Sequence, residues 1–168
     1  KRQQKDEQAF YSFEMGNYYI SRLNYNKAIL EFLIFLDKNP NQYNKISNKI
    51  IAIPDYVDLQ QEIKETLYKS SFLCSKILLS DIAFKAKDFK ESYNLLKNNF
   101  QTPNQLLDFA YQNKKIKNYD LAIEVYKDII DQDYSSKITI SAILDMGDTL
   151  EKKSISSKLN LPISQYFY

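Results

Sequence analysis

The 168-residue chain contains no histidine, no tryptophan, one cysteine and two glycines. Each shortage excludes something. Without histidine the usual general base of enzymes is gone, and with it the Ser-His and Cys-His nucleophile pairs. A zinc site built from histidine and cysteine is excluded for the same reason, and the single Cys74 cannot form an intramolecular disulfide. Cys74 lies among apolar neighbours in "SSFLCSKILL" and reads as a small buried hydrophobe. Two glycines and four prolines supply too few tight turns for a β-sandwich or barrel. Gly16 and Gly147 stand far apart, so no glycine-rich phosphate loop exists. Charge of one sign is scarce as well: the net charge is +2, which points to neither nucleic acid nor an acidic lipid surface. The richest apolar run, "AILEFLIFL" at 28–36, carries Glu31 and is about half the roughly 18 residues of a membrane span.

What is present is helical pattern. Hydrophobic residues make up 44% and charged residues 26%, enough to fold a core. Apolar positions recur at three- and four-residue spacing and predict helices over about 6–22 and 25–38, with Phe10, Phe13 and Ile20 on the first and Ala28, Phe32 and Phe35 on the second. Pro40 ends the second helix. The same grammar returns around Ser80, Ala83, Phe89 and Ser92, then around Ala110, Tyr119, Ala122 and Tyr126, and its first-helix half returns around Gly147. Gly16, Ser80, Ala110 and Gly147 therefore take one place in the unit, where a small residue lets a second helix pass close. Ala28, Ser92 and Ala122 supply the matching small surface, and Tyr25, Phe89 and Tyr119 plug the turn.

Residues 9–42, "AFYSFEMGNYYISRLNYNKAILEFLIFLDKNPNQ", resemble a tetratricopeptide repeat. The family pattern is matched at Gly16, Tyr19, Ala28, Phe32 and Pro40, with Tyr25 and Asn17 in support; Ser12 replaces its tryptophan, and Phe35 stands where a small residue is usual. Residues 103–136 and 73–102 resemble it again. Tyr25 and Phe89 are 64 residues apart and Phe89 and Tyr119 are 30 apart, against a family period of 34, so the first gap has room for one more hairpin. Its helices are predicted near 42–52 and 57–70, divided by Pro54. The expected architecture is all-α: a right-handed superhelical α-solenoid in one domain, 1–168, with units 9–42, a degenerate 41–72, 73–102, 103–136 and a partial 137–168. A kink is expected near 98–104, and residues 154–168 read as a cap, a frayed end or the edge of a longer array.

The resemblance implies a non-enzymatic adaptor, without cofactor or metal, whose first helices line a concave groove for a partner protein. Carried over residue by residue, the groove candidates are Phe10, Phe13, Asn17 and Ile20, then Ile77, Asp81 and Phe84, then Leu107, Tyr111 and Lys114. Members of the family that clamp a C-terminal carboxylate use lysines and asparagines here. Phe13 and Ile77 stand where basic residues would be needed, so an apolar strand or an amphipathic helix is the expected ligand. The alternatives are that Phe10 and Phe13 are covered by another helix or a second copy, and that the chain is a self-association module of a larger envelope or secretion assembly. The acidic pairs Asp120/Glu124 and Asp145/Asp148 read as solvated helix faces, and Asp128, Asp131 and Asp133 lack the glycine and terminal glutamate of a calcium loop. With no initiator methionine, the charged start "KRQQKDEQ" suits residues following a removed anchor or signal. It favours a bacterial periplasmic or anchored parent over the cytoplasm.

Overall fold

The computed structural model describes residues 2–54, 56–99, 102–132 and 134–159, with side chains for all of these except 2–10, 57, 158 and 159. Among the described residues the fold is all-α, without a strand. The chain divides into two compact units, Lys1–Asn99 and Phe100–Tyr168. The first unit holds α1 (Arg2–Ser21), α2 (Tyr25–Lys38), a 3-10 turn at Pro40–Gln42, α3 (Tyr43–Ile51), α4 (Val57–Lys69), α5 (Leu73–Lys85) and α6 (Phe89–Asn99). The second holds α7 (Pro103–Lys115), α8 (Tyr119–Asp131) and α9 (Ser136–Leu159). The degenerate stretch thus forms two helices on either side of Pro54, as its periodicity predicts.

Three turns share one backbone. Leu23, Lys87 and Lys117 are left-handed, with φ of 57°, 63° and 64°. In each, the next residue's N–H reaches back five residues, Asn24 to Tyr19, Asp88 to Ala83 and Asn118 to Asn113, all at 2.9 Å. The left-handed residue itself donates three residues back, to Ile20, Phe84 and Lys114. This pair of bonds satisfies carbonyls that a helix end otherwise leaves orphaned. A side chain at positive φ costs about 1–2 kcal/mol, and in each turn the two bonds offset it. Asn24, Asp88 and Asn118 then open the following helix by accepting from Ala28, Ser92 and Ala122 N–H at 3.1, 3.0 and 3.1 Å.

The paired helices also approach closely at small residues. A methyl group on Gly16 would lie 2.6 Å from Phe32 Cδ1 and 2.9 Å from Cζ, closer than real contacts allow. Ser80 and Ser92, both buried, exchange hydroxyl-to-carbonyl bonds at 2.7 and 2.8 Å across α5 and α6. Ala110 and Ala122 are fully buried between α7 and α8. In every case the second small residue follows the first by twelve positions.

Gly147 departs from this. It is exposed, and nothing lies within 4 Å of a methyl group added there. The reason is legible nine residues on. Eight and nine positions after Gly16, Ser80 and Ala110 stand Asn24-Tyr25, Asp88-Phe89 and Asn118-Tyr119; after Gly147 stand Ile155 and Ser156. Without the acceptor that caps a new helix and the aromatic that plugs the turn, α9 runs on to Leu159. Residues 154–159 therefore belong to α9, while 160–168 lie outside the described residues.

The core of the first unit centres on α2, which touches α1, α3, α4 and α5. Ala28, Ile29, Phe32 and Leu33 are fully buried and meet Ile46 of α3, Ile63 and Leu67 of α4 and Leu78 of α5. Each large side chain so buried contributes about 1.5–3 kcal/mol before conformational entropy is charged against it. In the second unit Leu106, Phe109, Ala122, Val125, Tyr126, Ile129 and Ala142 do the same among α7, α8 and α9.

Candidate functional site

In the first unit two of the side chains proposed for a groove, Phe13 and Asp81, are engaged with α3. The Phe13 ring of α1 packs on Phe35 at 5.2 Å and on Phe32 at 6.3 Å between centroids. Its other surroundings are cationic: Lys45 Nζ lies 4.1 Å and Lys49 Nζ 5.8 Å from the ring centroid. Such contacts contribute about 0.5–1 kcal/mol where water has access. From the opposite flank of α3, Tyr43 OH and Ser47 Oγ donate to Asp81 Oδ2 of α5 at 2.8 and 2.5 Å. Lys85 Nζ donates to the Ile51 carbonyl at 2.8 Å, closing the C-terminus of α3 with a positive charge. Burial pushes the Asp81 carboxyl above its ordinary range, while the Ser47 and Tyr43 hydroxyls pull it back. Burial, and then the charge of Asp81, holds the Tyr43 phenol well above a free tyrosine.

Phe13 of α1 and Asp81 of α5 are thus each engaged with α3. Sequence reasoning missed the α3 contributors because the 41–72 unit has lost the family residues. A signal was available in the two interleaved i,i+4 pairs, Tyr43/Ser47 and Lys45/Lys49. Asn17 is half-buried, Ile20 packs against the unit core and Phe84 lies edge-on to Phe89 at 5.1 Å. Ile77 is 3% exposed and offers a partner almost no surface. The Phe10 side chain lies outside the described residues. A cavity of about 200 Å³ lies among α3, α4 and α5, walled by Ile50, Ile63 and Ile82; small-molecule sites usually enclose roughly 300–1,000 Å³.

In the second unit Lys114 of α7 is only 8% exposed and its Nζ bridges Asp145 at 2.7 Å and Asp148 at 2.9 Å on α9. Burial alone would lower its pKa; the hydrogen bonds to both carboxylates outweigh that and raise it. Lys152 also pairs with Asp148 at 2.9 Å, and Lys153 pairs with Asp120 of α8. The Asp148 carboxyl is held below its usual range by Lys152 and Lys114. Asp145 and Asp148 are therefore anchors of α9 rather than merely solvated carboxylates, a role their i,i+3 spacing did not disclose. Beside them the buried Tyr126 hydroxyl has no hydrogen-bond partner among the described residues, and burial followed by the charge of Asp145 pushes it up to about 12. Tyr111 is 45% exposed, with Lys114 and Lys115 Nζ at 5.4 and 4.7 Å from its ring centroid, and Leu107 is half-buried.

Among the described residues no group of three or more histidine, cysteine or carboxylate side chains could hold a metal, and no helix is long and apolar enough to cross a membrane. Set against family models, curated proteins and solved structures, the chain matches none.

Proposed function

We propose that the chain is a protein-interaction scaffold of tetratricopeptide-like hairpins, not an enzyme, that holds a segment of a partner protein on its first helices. The observation that carries the reading is the threefold recurrence of one hairpin: small pair, left-handed turn and helix-opening acceptor at identical offsets. A repeated hairpin of this kind is the building unit of helical arrays, whose extended surfaces serve binding. The absence of histidine in the chain agrees with a non-catalytic role.

Within this proposal Asp81 and Lys114 act as ties between neighbouring first helices and not as contacts for a partner. The surface left for a partner is Asn17 and Phe84 in the first unit, and Leu107 and Tyr111 in the second. The partner segment is an apolar strand or an amphipathic helix, which reads such half-buried apolar positions by alternating or i,i+4 anchors. A second reading, a self-association module of a larger assembly, draws on the exposed apolar side chains of α9.

The test compares affinity capture from native lysate by the wild-type chain and by the Asn17→Ala/Leu107→Ala/Tyr111→Ala variant, read by mass spectrometry. A protein retained by the wild type and lost by an equally stable variant supports the reading. The same proteins at the same levels with both would sink it.

A further inference from the structure

We propose that the cavity among α3, α4 and α5 binds a short aliphatic carboxylate, with its hydrocarbon tail against isoleucines and its head against lysines. The site is independent of partner capture on the first helices. Its floor is apolar: Ile50, Ile63 and Ile82 are 2%, 1% and 6% exposed. Its charge is of one sign. Lys64 of α4 and Lys85 of α5 both line the cavity, and among the described residues no acidic side chain does. Lys64 is half-buried and has no ion-pair or hydrogen-bond partner among the described residues. An ammonium group that gives up part of its hydration is stabilised by a counter-ion. Where this chain buries Lys114 it supplies two carboxylates; at Lys64 it supplies none.

The helix ends oppose an anion here, and the lysines outweigh them. α3 stops at Ile51 and α5 at Lys85, so two C-termini converge on the cavity. Each carries a partial charge of about −0.5, which leaves about +1 once the two ammonium groups are counted. Lys85 Nζ donates to the Ile51 carbonyl at 2.8 Å, which holds its charge beside the cavity. Size sets the tail. The volume of about 200 Å³ takes about six heavy atoms at the roughly 30 Å³ that a water molecule occupies in the liquid. A nucleotide is too large, whereas the tail of a hexanoate fits. A free acid and the terminal leucine of a polypeptide share this chemistry.

Titration of the full chain with hexanoate, followed by amide chemical shifts, tests the site. Hexanoate is expected to shift Ile63, Lys64 and Ala86 with a dissociation constant on the order of 0.1–1 mM, and hexan-1-ol to bind about tenfold more weakly. Lys64→Met keeps an aliphatic stem and is expected to weaken hexanoate about fivefold or more, leaving hexan-1-ol unchanged. Ala86 is exposed and lines the cavity, so Ala86→Leu narrows the mouth and is expected to weaken both ligands. Melting temperatures near the wild-type value show that both variants are folded. N-acetylleucine separates the two sources: tighter binding than hexanoate assigns the site to a polypeptide terminus and weaker binding to a free acid, either in support. No shifts at these amides, equal affinity for acid and alcohol, or an unchanged hexanoate affinity in Lys64→Met would each overturn the proposal.

Discussion

The two glycines of the chain occupy the same place in a repeated sequence unit and opposite physical situations. Gly16 is buried against the Phe32 ring with no room for a methyl group; Gly147 faces open space. The difference lies in whether a second helix arrives. After Gly16 the chain turns at Leu23, and Asn24 starts a helix that brings Phe32 back; after Gly147 the helix continues. A small residue is thus necessary for close helix packing without being sufficient for it. The turn decides.

The sharpest way to break this comparison is to place the same bulk at both sites. Gly16→Leu should cost about 3 kcal/mol in urea unfolding, because the Phe32 ring has no space to yield and overpacking is expensive. Gly147→Leu should stabilise the helix by up to about 1 kcal/mol, since it replaces the poorer helix former and meets nothing. Equal effects would end the distinction.

The next effect concerns what holds α9 when its glycine face has no second helix among the described residues. Lys114→Met should destabilise the second unit by about 1–2 kcal/mol, below the cost of breaking a fully buried pair because both carboxylates keep solvent access. Protein unfolding followed against pH gives the sign. Asp148 has a folded pKa depressed from the ordinary 3.8, so its contribution is present above that value and is lost as pH falls through the lower folded one. Asp81 behaves oppositely: its raised folded pKa makes its contribution full below the ordinary value, and that contribution is lost as pH rises through the folded one. Asp148→Asn should flatten the acid-side decline, and Asp81→Asn should steepen it. A shared direction for the two variants would contradict the different origins assigned to these ties.

The smallest effect tests the turns that separate the two glycines' fates. Leu23→Gly, Lys87→Gly and Lys117→Gly should each raise stability by about 1 kcal/mol, because glycine adopts positive φ without steric cost. A loss at any of the three would mean that the side chain there contributes packing that outweighs the backbone strain.

Much of the fold was legible because it rests on local chemistry. The spans of α2, α3 and α4 followed from apolar periodicity and from Pro40 and Pro54, and the close approach at Ser80 and Ser92 followed from the matching small residues of a repeated hairpin. The candidate site was less legible. Asp81 and Lys114 were expected to face a groove, yet Asp81 is bound by α3 and Lys114 by α9. Tyr43, Ser47, Lys45 and Lys49 were invisible because they sit in the stretch whose family residues are gone.

By itself the sequence determined that this chain is all-helical and where its hairpins turn, since spacing, proline and helix-opening acceptors act over a few residues. Only the tertiary structure decided which small residue is covered, which charge is already paired and which apolar face stays in water. Those outcomes depend on what arrives from a distant part of the chain, and burial and pairing energies are fixed by that arrival rather than by the residue alone.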